Sequence, residues 1–184
     1  MGGFRLKVFL IIVVSVIVLI IIALISLFLW LRSGVKALSR DYPSNERIKG
    51  SSSKQALVLY QPSMHETSES FADTVIDTFL NLGYKVTANH IDQGSMYNVS
   101  QYDIIAFGSP IYVGNISPKF EKYIKSQDIK WKKIILYSIG TIKNENYELD
   151  NLENMLKQQN IVYKIKVQPD PFGKQKLISF IKSI

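Results

Sequence analysis

The 184-residue chain has no cysteine and only two histidines, His65 and His90. The first absence excludes disulfide staples and thiol chemistry. Together they exclude a zinc site of ordinary make-up, because carboxylates to complete one do not stand at ligand spacing. No GxSxG nucleophile elbow and no Walker-type lysine loop is present, so acyl-enzyme and triphosphate chemistry lack their usual machinery. No internal repeat or low-complexity tract is visible. Excess charge is also scarce outside one region. The net charge is +7, but residues 1–54 hold eight Lys/Arg against Asp41 and Glu46, while residues 55–184 hold 14 against 13 acids. A nearly neutral globular part gives no support to a nucleic-acid partner. Lys130-Trp131-Lys132-Lys133 reads as a solvated turn leading into a strand.

What the chain does have is a long apolar run. Residues 8–31, VFLIIVVSVIVLIIIALISLFLWL, carry no charge and exceed the roughly 20 residues that span a bilayer. A secretory signal peptide has a shorter apolar run of about 7–15 residues before its cleavage site. Ala37-Leu38-Ser39 is only a faint match to such a site, so residues 1–31 read as a tail and a retained anchor. Myristoylation lacks its hydroxyl residue, since Leu6 stands there. Arg5 and Lys7 precede the run, whereas Arg32, Lys36, Arg40, Arg47 and Lys49 follow it. That bias predicts a single-pass protein of the cell membrane with its carboxyl-terminal part in the cytoplasm. The missing cysteine agrees. Asn98-Val-Ser100 and Asn115-Ile-Ser117 fit the glycosylation pattern but would not meet that machinery there. The basic flank suits membrane lipid with anionic headgroups. Residues 32–53, with Pro43, Gly50 and Ser51–Ser53, read as a mobile polar linker, leaving 54–184 as one domain.

Within that domain, short apolar runs alternate with amphipathic segments. Strands are predicted at 56–60, 85–90, 104–107, 134–139 and 161–167, and helices at 68–82, 118–125, 149–159 and 174–183. The first of these helices is the clearest. Phe71, Ala72, Val75, Ile76, Phe79 and Leu80 share a face, and Gly83 stands where a C-terminal cap belongs. Five strands alternating with helices imply an α/β fold with a doubly wound parallel sheet and right-handed crossovers. Ligands of such sheets bind at the carboxyl ends of the strands. The stretch 102–115, YDIIAFGSPIYVGN, is a buried strand leaving through a turn with Ser109, Pro110, Tyr112, Gly114 and Asn115. Ser117-Pro118 then supplies a helix cap and first-turn proline. An aromatic face, a close-approach glycine and several hydroxyls or amides suit a planar, polar-edged cofactor.

Three segments resemble the flavodoxin family of FMN-binding electron carriers. The first is Ala56-Leu-Val-Leu-Tyr60 with Gln-Pro-Ser-Met-His-Glu-Thr-Ser68 and a helix bearing Ala72. The second is Gly108-Ser-Pro-Ile-Tyr-Val-Gly-Asn115, and the third is Ile134-Ile-Leu-Tyr-Ser-Ile-Gly140 with a polar loop ending near Tyr147. The resemblance spans roughly residues 54–184 and implies a five-stranded flavodoxin-like sheet of order 2-1-3-4-5. It also implies that Ser63, Thr67 and Ser68 hold the FMN phosphate. Ser109, Pro110, Tyr112, Val113, Gly114 and Asn115 would then border the ring, with a Gly114 peptide able to turn its carbonyl towards flavin N5. Gly140 and Tyr147 would belong to the third loop.

The chain departs from the family pattern at Met64 and Glu66, where glycine is common, and in the third loop, which lacks the usual aromatic. Read without the resemblance, residues 61–68 are an ordinary strand-to-helix turn with a threonine cap, and His65 is a loop residue rather than a general base. The expected function is FMN-dependent electron transfer at the membrane with a redox protein or quinone. The alternatives are an FMN-dependent quinone or small-molecule reductase, and a membrane-tethered interaction domain without flavin.

Overall fold

A computed structural model describes residues 2–141 and 146–184. It opens with α1 (Gly2–Ser39), 38 residues long, or about 57 Å at 1.5 Å per residue. That length exceeds the roughly 30 Å of a bilayer's hydrocarbon core. Within Lys7–Ser39 an 18-residue window has a mean hydropathy of 3.8 and no buried residue, so the helix is long and apolar enough to cross a membrane. There follow β1 (Arg47–Lys49), β2 (Gln55–Tyr60), α2 (Thr67–Asn81), β3 (Lys85–His90), β4 (Ile104–Pro110), α3 (Lys119–Ser126) and β5 (Lys133–Ile139). The chain then adds α4 (Asp150–Leu156), β6 (Ile161–Val167) and α5 (Pro171–Lys182).

The sheet has six strands in the order β1-β3-β2-β4-β5-β6. Pairing is parallel from β3 through β6 and antiparallel only between β1 and β3. The five expected strands thus take the expected 2-1-3-4-5 order, and the sixth is a correction. It comes from residues expected to be mobile linker. Side chains at the end of β3 and just past it hold that segment. Asn89 Oδ1 accepts from the Asn45 N–H at 2.8 Å, and Asp92 Oδ2 accepts from the Tyr42 N–H at 3.0 Å. His90 Nδ1 lies 2.8 Å from the Pro43 carbonyl, which can only accept, so Nδ1 carries the proton. A three-residue strand among polar neighbours carries no periodic signal, and only these long-range bonds reveal it.

Strand pleat sorts the core into two layers. Ala56 and Val58 point to the face covered by α2 and α5, and Leu57 and Leu59 to the face covered by α3 and α4. α2 ends as its sequence predicts. Gly83 adopts φ 82°, its N–H reaches the Leu80 carbonyl, and the Tyr84 N–H reaches that of Phe79. The Phe79 and Tyr84 rings lie 5.6 Å apart, completing the hydrophobic contact of that cap. At the other end of the domain, Asp170 caps α5 by accepting from the Gly173 N–H at 2.7 Å, so this helix starts earlier than residue 174.

β4 also runs three residues further than expected. Gly108, Ser109 and Pro110 pair with Tyr137, Ser138 and Ile139 instead of forming the turn. A Cβ at Gly108 would lie 2.0 Å from the Tyr137 ring, so the strand needs glycine where that ring crosses it.

Candidate functional site

The carboxyl ends of β2 and β4 are neighbours whose following connections leave towards opposite faces of the sheet, α2 covering one and α3 the other. Three loops meet at this edge. In the first, Ser63 Oγ accepts the Ser68 N–H at 3.0 Å, satisfying one of the free donors of the first turn of α2. Thr67 is the first residue of that helix, and no side chain caps it from Glu66, so the threonine-cap reading is not met. Ser68 Oγ is buried and has no hydrogen-bond partner. Glu69 Oε2 sits 3.3 Å from Ser63 Oγ, an acceptor already drawn to these donors. Glu66 is exposed and left-handed, with φ 55° and ψ 14°. The glycine-like backbone is therefore kept although its residue is not glycine, at a cost of about 1–2 kcal/mol.

The second loop is a tight two-residue turn. Tyr112 and Asn115 exchange both backbone hydrogen bonds at 3.0 Å, with Val113 at φ 52° and Gly114 at φ 75° between them. Asparagine or glycine is usual at the first of those positions. A β-branched valine there is strained. Among the described residues Glu66, Val113 and Trp131 are the non-glycine residues at positive φ, and two of the three lie on these loops. The Tyr112 hydroxyl accepts the Met64 N–H at 3.1 Å, tying the second loop to the first. Ser109 is buried in β4 and its hydroxyl is used within the protein, accepting the Ser117 N–H at 3.1 Å and donating to the Pro110 carbonyl at 2.9 Å. Ser109 and Pro110 back the loop rather than line it.

In the third loop, residues 142–145 lie outside the described residues. Gly140 closes β5 by donating to the Val167 carbonyl at 2.9 Å. Tyr147 comes back to the second loop, where a Cβ on Gly114 would lie 3.3 Å from its hydroxyl. Gly114, Asn115, Ser117, Glu121, Tyr147 and Glu148 line a cavity of about 420 Å³ here. His65 stays an exposed loop residue.

Two features at this edge escaped the sequence. One is a buried charge pair beneath the third loop. The Ser138 hydroxyl donates to Glu148 Oε1 at 2.5 Å, and Lys166 Nζ lies 3.4 Å from Glu148 Oε2, with side chains 8 % and 1 % exposed for Lys166 and Glu148. Lys164 and Lys166 alternating inside an apolar strand were the signal. The other is the end of α1. Ala37 and Leu38 are buried, Gly34 lies against the Tyr112 ring, Gln61 Nε2 donates to the Ala37 carbonyl at 3.2 Å, and Ser117 Oγ donates to the Leu38 carbonyl at 2.7 Å. Gly34 and Ala37, small and three apart on one helix face, were the readable trace of that contact.

Residues 57–169 match the family model described as the flavodoxin domain. The chain belongs to the flavodoxin-domain family. Solved structures agree on the fold. Oxidised flavodoxin 2 from Bacillus cereus is 20 % identical with a TM-score of 0.54, covering 71 % of this chain and 99 % of that one. A flavoprotein in complex with FMN from Lactobacillus acidophilus NCFM is 11 % identical with a TM-score of 0.51, covering 70 % and 99 %. The apo form of an NADH:FMN oxidoreductase is 13 % identical with a TM-score of 0.54, covering 71 % and 88 %. No curated protein matches. The shared region is the flavodoxin domain, and α1 lies outside the matched residues.

Proposed function

We propose that this protein is a single-pass membrane protein whose flavodoxin domain binds FMN and transfers electrons at the membrane. Residues 1–31 act as tail and anchor, and 32–53 connect them to the domain of 54–184 while adding β1 to the edge of its sheet, with the domain held in the cytoplasm by the basic flank after the span. The observation that carries the cofactor is the donor set at the start of α2, where Ser68 Oγ is buried without a partner beside Ser63 and Thr67. Helix-start N–H groups and hydroxyls suit a phosphate. Family membership supports the same choice.

Ser63, Thr67 and Ser68 hold the phosphate, which requires the Glu69 carboxylate to leave Ser63. Tyr112, Val113, Gly114 and Asn115 of the second loop and Tyr147 of the third border the ring. Gly114 allows its peptide to reorient, having no Cβ. When bound, FMN supplies the redox chemistry, accepting and releasing electrons singly or in pairs. The protein's part is to anchor, to orient and to keep the ring edge at the meeting of the loops.

A second reading, an FMN-dependent reductase of a quinone or other small molecule, is favoured by the 420 Å³ cavity beside Gly114 and Tyr147. Stepwise reduction of the FMN-loaded full chain separates the two. A carrier takes up its electrons in two resolved one-electron steps and turns over no quinone with NADH. Sustained NADH-driven quinone turnover without a separate one-electron step would contradict the carrier.

A further inference from the structure

The loop between β2 and α2 is short of positive charge. Residues 61–70, QPSMHETSES, contain Glu66 and Glu69 and no lysine or arginine, so a phosphate held there meets two carboxylates. The last turns of α1 lie against this loop. Ser33, Lys36, Arg40, Tyr42, Ser63 and Met64 line a shared cavity of about 550 Å³. Among the described residues neither Lys36 nor Arg40 is in an ion pair. Arg40 lies over the Tyr42 ring at 5.7 Å, and the adjacent Asp41 is held instead by Lys119 at 3.0 Å. A helix's free terminal carbonyls would repel an anion. Here the Ala37 and Leu38 carbonyls are taken by Gln61 and Ser117.

We infer that the end of the membrane helix is a wall of the phosphate site, with Lys36 and Arg40 supplying the charge for a phosphate ester held at the start of α2. The inference rests on the flavin reading for its first candidate ester, the phosphate of FMN. A phospholipid headgroup offers the same chemistry at the same place. Either way the anchor takes part in binding, because it sets two cations beside a loop that carries two carboxylates and no cation of its own.

The test uses the full chain in phosphatidylcholine nanodiscs, titrated with FMN and with riboflavin, which lacks the phosphate. Replacing both cations, Lys36→Gln with Arg40→Gln, should weaken FMN about tenfold, as expected for two partly exposed charge pairs, and leave riboflavin unchanged. Lys36→Arg with Arg40→Lys should restore FMN binding. Adding phosphatidylglycerol distinguishes the sources. If it weakens FMN in the wild type but not in the double glutamine variant, a headgroup competes for the same cations, which supports the site. FMN binding that is indifferent to the glutamines, or an equal loss for riboflavin, overturns the inference while the flavin reading stands. Should the wild type bind no FMN, the flavin reading fails. Native mass spectrometry of retained phosphatidylglycerol then decides the inference, which survives only if the glutamine variant loses the lipid.

Discussion

Glu66 shows how a single residue can hold a glycine-like backbone at an energetic cost. Its left-handed backbone is what a glycine would adopt freely, and relief of about 1–2 kcal/mol exceeds the roughly 0.4–1 kcal/mol that glycine's extra unfolded-state freedom takes back. Glu66→Gly should therefore raise stability by about 0.5–1 kcal/mol in urea unfolding, with FMN affinity unchanged or higher because a carboxylate leaves the phosphate's surroundings. His90 sets a second expectation. Burial pushes its pKa below the ordinary value, against the raising effects of the Pro43 carbonyl and the Glu69 and Asp92 carboxylates. The unfolded chain therefore binds the proton more readily than the folded one. The His90 contribution is complete above its unfolded pKa, near 6.5, and is lost as pH falls through the depressed folded value. Unfolding followed from pH 8 to pH 5 should show stability declining below about 6.5, and His90→Gln should flatten that slope.

At the scale of elements, the parallel core was legible and its borders were not. Buried parallel strands are continuous apolar runs, as 56–60 and 134–137 are, and Gly83 marks a helix end by its own stereochemistry. Gly108-Ser109-Pro110 reads locally as a turn, yet β5 extends far enough to pair with all three. The candidate site was legible to the same degree. Ser63, Ser68, Tyr112 and Gly114 meet at the predicted edge, whereas Ser109 is spent inside β4 and the wall made by α1 depends on contacts 24 and 79 residues apart. Order in residues 42–49 is equally non-local and hangs on Asn89. This side chain is fully buried, accepts from the Asn45 N–H, and donates to Ser44 Oγ at 2.9 Å and to the Tyr97 hydroxyl at 2.8 Å. Asn89→Ala should cost about 2–3 kcal/mol and speed amide exchange across 42–49, leaving exchange in β5 and β6 unchanged.

For the whole molecule, α1, long and apolar enough to cross a membrane, ends on the carboxyl edge of the sheet, so its end and the candidate cofactor site are one neighbourhood. The proposed topology rests on charge placement. Protease added to intact cells should leave residues 50–184 uncut, and a reporter fused after Ile184 should read as cytoplasmic. Cleavage from outside would place the domain with extracellular partners instead. The central claim is that this neighbourhood recognises FMN through its phosphate. Fluorescence titration of the full chain in detergent with FMN and riboflavin tests it most directly, alongside the triple replacement of Ser63, Thr67 and Ser68 by alanine. Hydrogen bonds to a charged group contribute about 1.5–3 kcal/mol each. FMN should bind more tightly than riboflavin, and the triple variant should lose about 100-fold or more for FMN alone while its circular dichroism is unchanged. No quenching by tens of micromolar FMN in a folded chain, or equal affinity for the two flavins, would contradict the account.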